Sequence, residues 1–280
     1  MKKRQGISHQ LRNKWIADWE KSDSQSEHGV AFLNTQDFIS RGAKSRTPDY
    51  GNPGHDRDFF SINERFYFLH LLRAAHITWI KEQRPLLPLE RAIAIAKQLG
   101  VKYPTYPYSS NVESVMTTDF LCGTIFGNQV VYSVKDAKEL SDCKRWSKQK
   151  QKNFENKLKI DKLFWESQNI KWHLISSTSI KTTYSSNLQQ LAPYLIVELK
   201  QKILLPCWLR MFSSKLLRSQ NKRVSEMLQE TADELEIKYS EVSSMFHHAL
   251  WHKHILADLN VKLQLEKQVA IFKFEVPLNG

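Results

Sequence analysis

Cysteine is scarce in this chain. Its 280 residues include three, Cys122, Cys143 and Cys207, and no two have CxxC spacing. That fits a reducing cytoplasm and no disulfide framework. Long apolar runs are missing too. The run from Ile203 to Leu209 is interrupted by Pro206 and is far too short to span a bilayer. The opening Met1-Lys2-Lys3-Arg4 is not followed by an apolar stretch, so no signal peptide is expected. No G-x-G-x-x-G or G-x-x-x-x-G-K-[ST] loop occurs, which argues against nucleotide hydrolysis by this chain. No G-x-S-x-G elbow occurs either, so α/β-hydrolase chemistry has no support. Internal repeats and low-complexity tracts are absent.

What the chain has is basic charge and apolar mass. Lys and Arg number 41 against 29 Asp and Glu, a net charge of +12. Such an excess favours a polyanionic partner, because Lys and Arg gain affinity for nucleic acid by releasing counterions. Hydrophobic content of 41%, with 11% aromatic, supports real cores.

Residues 1–55 read as a polar, basic arm. Leu11 to Trp19 fits a short amphipathic helix with Trp15, Ile16 and Trp19 on one side. Ser22 to Gly29 and Arg41 to Gly54 have loop composition, and Arg41, Lys44 and Arg46 are candidate phosphate contacts. Ser61 and Glu64 form S-x-x-E, a capping box opening a helix through Phe68, Leu71, Leu72 and Ala75. Glu64 is therefore either a cap or a ligand at the start of a helix. Ile77 to Gln83 reads as a strand and Leu89 to Leu99 as a helix ending at Gly100. Asp136 and Glu139 fit the cap of a helix running to about Lys148. Asn153 to Gln168 is helical, and Trp172 to Ser176 is a buried strand. The alternation predicts a mixed sheet flanked by helices, an α/β domain over 56–180.

Within it, Val115 to Cys122 and Val130 to Lys135 are rich in β-branched and aromatic residues. Gly123, Gly127 and Asn128 between them supply turn chemistry, so a hairpin is expected. Adjacent strands can put Asp119 and Lys135 on one face. A phosphodiester resists hydroxide because of its own negative charge. A carboxylate-held Mg²⁺ neutralises that charge, and a lysine orients water or stabilises the developing anion. A structural ion pair is the alternative for these two residues.

After Thr178 the pattern is helical: Leu188 to Leu205, Trp208 to Leu217, Val224 to Leu235 and Ser240 to Ile255. Val261, Leu263 and Leu265, then Ala270, Phe272, Phe274 and Val276, alternate with other residues. They suggest a hairpin turned at Glu266-Lys267-Gln268, giving a winged-helix-like domain over 181–280. His248 and His252 have the i, i+4 spacing of a zinc site, with His247 and His254 beside them. The segment lacks the Glu of a His-Glu-x-x-His motif, so a basic, partly exposed helix for DNA or partner contact is the preferred reading.

Three stretches in combination resemble a known family. Lys81-Glu82-Gln83-Arg84-Pro85-Leu86-Leu87-Pro88, Gly100-Val101-Lys102-Tyr103-Pro104 and Val115-Met116-Thr117-Thr118-Asp119-Phe120-Leu121 look like TnsA. TnsA is the endonuclease subunit of heteromeric cut-and-paste transposases. Ser61 to Glu64, Val134-Lys135 and Leu158 to Trp172 extend the similarity, which covers about 28–180 well. The resemblance implies a restriction-endonuclease-like domain followed by a helical one. It implies DNA hydrolysis at transposon 5′ ends with Mg²⁺ or Mn²⁺, alongside a TnsB transposase and a TnsC ATPase regulator, in the bacterial cytoplasm at the nucleoid. By position, Glu64 and Asp119 match the catalytic acids and metal ligands and Lys135 the catalytic lysine; further metal contact is expected through water or through the backbone carbonyl of Val134. Ser133 stands where the family usually has Gln. A stand-alone restriction or junction-resolving nuclease and a non-catalytic winged-helix adaptor are the alternatives.

Overall fold

A computed structural model describes residues 6–35, 44–109, 111–142, 146–180 and 182–277. In chain order its elements are α1 (His9–Gln25), β1 (Ser45–Pro48), β2 (Asp56–Phe59), α2 (Ile62–Arg73), β3 (Ile77–Pro85), α3 (Leu89–Gln98), β4 (Thr117–Thr124) and β5 (Gln129–Lys135). There follow α4 (Ala137–Asp142), α5 (Lys148–Glu166), β6 (Lys171–Ser176), α6 (Thr182–Leu191), α7 (Leu199–Leu216), α8 (Val224–Leu235) and α9 (Tyr239–Trp251). The chain divides into two compact units. The first comprises Met1–Arg46, Arg57–Arg65 and Ala74–Ser179; the second comprises Thr47–Asp56, Phe66–Arg73 and Ile180–Gly280.

The first unit is built on a four-stranded sheet in the order β3-β4-β5-β6. β3 and β4 are antiparallel, as are β4 and β5, while β5 and β6 run parallel. A parallel pair needs a crossover, and α4 and α5 lie on it. The core joins Leu89, Ala92, Ile95 and Ala96 of α3 to Leu121 of β4, Val131 of β5, and Ile160, Phe164 and Trp165 of α5. The helical spacing of those residues is why the two helices bury one face each. The mixed α/β architecture expected from the sequence is present.

Several local expectations change. Gly123 lies inside β4, not in the turn. A Cβ there would meet Trp79 Nε1 at 2.1 Å, so glycine is what lets the indole lie against the strand. Gly127, at φ +76°, serves the turn. The helix expected to run from Asp136 to about Lys148 stops at Asp142, and α5 starts afresh with Ser147 Oγ accepting from the Lys150 N–H at 3.3 Å. α1 is longer than its apolar core suggested and extends through Ser22, which had loop composition. Trp19 anchors it, donating to the Val30 carbonyl at 2.8 Å beneath the Arg84 guanidinium, which also bonds Asp23.

The second unit is helical. Trp208, Phe212, Phe246, Phe272 and Phe274 form an aromatic core with ring centroids 5.0–6.3 Å apart. Two prolines behave oppositely. The single helix expected over Leu188 to Leu205 is broken at Pro193: α6 ends at Leu191 and a 3₁₀ segment, Ala192–Tyr194, follows. α7 instead runs through Pro206, where a break was expected. Proline costs a helix interior about 3 kcal/mol. Here it is exposed, while Leu205, Trp208, Phe212 and Leu216 bury the opposite face and outweigh it.

α8 and α9 are joined by a short turn with Glu236 in the left-handed region. The hairpin expected after them is not there. Val261 to Val276 contain no strand, only turns, a 3₁₀ segment and isolated bridges. The reason is buried Asn187. Its side chain donates to the Leu259 and Val261 carbonyls at 2.8 and 2.7 Å and accepts from the Leu263 N–H at 2.9 Å. The Leu265 and Lys267 carbonyls likewise accept from the Ser225 and Val224 N–H groups, so these backbone groups are not free for a ladder.

Candidate active site

One end of the sheet gathers the polar residues that the strands leave unpaired. The β4–β5 ladder runs from Gly123↔Gln129 to Phe120↔Tyr132 and stops there. Beyond it the Asp119 carboxylate takes over a backbone role, its Oδ2 accepting from the Val134 N–H at 2.6 Å. The same oxygen accepts from Lys135 Nζ at 3.0 Å, and that ammonium also donates to the Val134 carbonyl at 3.0 Å. Asp119, Val134 and Lys135 thus form one hydrogen-bonded junction.

Glu64 comes to this end from the first turn of α2. Ser61 caps the helix, its Oγ accepting from the Glu64 N–H at 3.1 Å. The Glu64 carboxylate accepts from Ser61 Oγ at 2.9 Å and from the Phe60 N–H at 3.0 Å. Cap and acid are therefore the same residue. Burial pushes its carboxyl up to about 7, with the Asp119 charge adding to the rise and Lys135 opposing it. Lys135 loses basicity to burial, but the Asp119 charge and hydrogen bond, with Glu64 and Asp161, more than restore it. The lysine is an ammonium at neutral pH.

Two residues not singled out in the sequence complete the setting. Gln83 has φ +47°, and its amide bridges Glu64 Oε2 at 3.4 Å to Thr117 Oγ1 at 3.0 Å. It lies inside the Gln-Arg-Pro-Leu-Leu-Pro stretch, but its backbone conformation is invisible in a sequence. Asp161 is buried on α5. It accepts from Ser133 Oγ at 2.6 Å, Trp172 Nε1 at 2.8 Å and Trp165 Nε1 at 3.2 Å. Burial raises its carboxyl to about 6 against the pull of those bonds and of Lys135. A signal existed for it: an acid on the apolar face of a helix, three and four residues before Phe164 and Trp165.

Other candidates fall elsewhere. Ser133 Oγ is committed to Asp161, inside the domain. Glu82 is buried against Arg57 in its own ion pair. Burial pushes the Cys122 thiol up to about 12, which disarms it as a nucleophile. Lys44 Nζ donates to the Thr35 carbonyl, Arg46 is exposed on β1, and Arg41 lies outside the described residues. The histidine segment is partly exposed, as expected, with His252 at the surface. His247 and His248 are buried, and the histidines bond backbone carbonyls: His247 Nδ1 that of Ser243, His248 Nδ1 that of Tyr194 and His252 Nε2 that of Leu195. An apolar helix in the middle of a unit draws its polar side chains to carbonyls. Among the described residues no group of three or more His, Cys, Asp or Glu gathers to hold a metal ion.

A mixed α/β domain with two buried acids and a lysine at one end of its sheet has the makings of a phosphodiester-cleaving domain. Residues 74–177 match the family model described as TnsA-like endonuclease N terminal. The match includes Gln83, Asp119, Ser133, Val134, Lys135 and Asp161; Glu64 precedes it. No curated protein matches the chain. No helix among the described residues is long and apolar enough to cross a membrane.

Proposed function

We propose that the chain is the DNA endonuclease subunit of a TnsA-type transposase, hydrolysing phosphodiester bonds at the 5′ ends of the transposon during excision. The observation that carries this reading is the Asp119–Val134–Lys135 junction with Glu64 electrostatically coupled to it. Two carboxylates and a backbone carbonyl are all oxygen donors, the set that hard divalent cations take. Charge supports the fit. Asp119 helps hold Glu64 protonated, and the Lys135 ammonium already spans Asp119 Oδ2 and the Val134 carbonyl, as a cation would. Glu64, Asp119 and the Val134 carbonyl would hold Mg²⁺ or Mn²⁺. Bound there, the metal supplies charge neutralisation and a more acidic water.

The chain's own residues do the rest. Gln83 and Ser61 fix the Glu64 carboxylate. Asp161 holds Ser133, two residues before Lys135, and its charge adds to that of Asp119 in favouring the protonated lysine. A protonated Lys135 orients the attacking water and stabilises the negative charge that develops on the phosphate oxygens. The net charge of +12 favours DNA, with Arg41, Lys44 and Arg46 as contacts to its phosphates. TnsB-like and TnsC-like subunits are the partners in this reading, and the nucleoid is its place of action.

The test is cleavage of a transposon-end duplex by the chain with its partner subunits and Mg²⁺. Asp119→Ala should abolish cutting while circular dichroism stays unchanged. Cutting that survives in that variant rejects the site. Cutting by the isolated chain would favour a stand-alone nuclease. Metal-independent DNA binding with no cutting, even beside the partners, would favour an adaptor.

A further inference from the structure

A groove of about 360 Å³ opens in the first unit beside α5. Lys102 and Thr105 line one part; Gln149, Asn153, Asn156 and Lys157, all on α5, line the other. No acid lines it. Among the described residues neither Lys102 nor Lys157 makes an ion pair. Gln149 donates to Asn153 Oδ1 at 2.8 Å, which leaves the Asn153 amide hydrogens to donate elsewhere. The same helix exposes Lys148, Lys150, Lys152 and Lys159, while Asp161, one of its acids, is buried.

The groove's place along α5 gives it meaning. Asp161 bonds Ser133, on the strand that carries Lys135. Lys157 is four residues before Asp161 and Gln149 is twelve before it. At a rise of 1.5 Å per residue, the groove starts about 6 Å from Asp161 along the helix and ends about 18 Å away. One DNA strand advances 3.4 Å per nucleotide, so that span corresponds to roughly two to five nucleotide steps. Paired lysines neutralise phosphates, and carboxamides and hydroxyls donate to phosphate oxygens without reading sequence.

We infer that this groove carries the phosphate backbone of duplex DNA beside the bond to be cut, with Lys102 and Lys157 as its charged contacts. The inference rests on the endonuclease reading and adds a second DNA contact, separate from Arg41, Lys44 and Arg46. The test is fluorescence anisotropy of a labelled duplex of arbitrary sequence, with the full chain in EDTA, between about 50 and 200 mM salt. Each lost phosphate contact lowers the log–log salt slope by about 0.9, so Lys102→Ala/Lys157→Ala should flatten it by about 2. Lys102→Arg/Lys157→Arg should restore the parent slope. An unchanged slope in the double alanine variant overturns the groove, including the case in which it takes only small anions. A parent that cuts DNA but shows that unchanged slope removes the groove and leaves the endonuclease reading. A parent whose binding depends on the two lysines, but which never cuts beside its partners, removes that reading and keeps the groove.

Discussion

Two regions of this chain bury ionisable side chains, and they do so in opposite ways. On α9, His247 and His248 lose basicity to burial, and each holds a backbone carbonyl through Nδ1. A neutral ring donating to a neutral oxygen leaves nothing unresolved. At the sheet end of the first unit, burial and the Asp119 charge raise the cost of ionising Glu64, and a lysine is held between an acid and a carbonyl. There the charge is only partly settled. In the sequence the histidines are the denser cluster and so the more eye-catching candidate. The two regions differ in whether the partner of a buried group is neutral or charged.

The comparison breaks first, if it breaks, on Lys135. Lys135→Ala should lower the cleavage rate on the order of 10²- to 10⁴-fold, the usual contribution of a positioned proton-transfer or charge-stabilising group. Single-turnover cutting at saturating DNA measures it. The largest effect in the second unit should be on stability. Phe246→Ala removes a fully buried ring that touches Phe212 and Phe274, and should cost about 3–5 kcal/mol in chemical denaturation. His248→Ala leaves the Tyr194 carbonyl without its partner and should cost about 1–3 kcal/mol. Cutting per folded molecule should not change in His248→Ala. A cutting defect there would place the histidines in the chemistry and erase the contrast.

Much of the first unit could be read from the sequence because its signals are local and regular. The β-branched runs at 115–122 and 130–135, the S-x-x-E cap and the apolar face of α3 each follow from residues within one element. Asp119 and Lys135 were readable as a pair for the same reason, being at matched ends of neighbouring strands. Glu64 was readable as a cap, and only the resemblance lifted it to a site residue. Gln83 and Asp161 were missed because their roles depend on tertiary neighbours: a left-handed backbone at Gln83, and two indole N–H groups converging on Asp161. The hairpin expected after α9 failed through a long-range competitor. Alternation over 261–276 is a true local signal, but Asn187, far away in sequence, claims the backbone groups first.

The smallest effect separates the two regions by sign. Glu64 has an ordinary value of 4.5 and is raised to about 7, so between those pH values the folded chain holds more protons than the unfolded one. Stability from this group is full below 4.5 and is lost as pH rises through 7. Asp161 does the same between 3.8 and about 6. The α9 histidines run the other way. Burial holds His247 and His248 below 6.5, so the unfolded chain binds the extra protons and stability falls as pH drops below 6.5. Thermal melting in divalent-free buffer at pH 5, 6 and 7 should therefore change slope in two directions. Glu64→Gln should remove part of the loss on going from pH 5 to 7. His248→Gln, which keeps a donor for the Tyr194 carbonyl, should remove part of the loss on going from pH 6 to 5. If both variants tilt the curve the same way, the two regions do not differ in the charge state they bury.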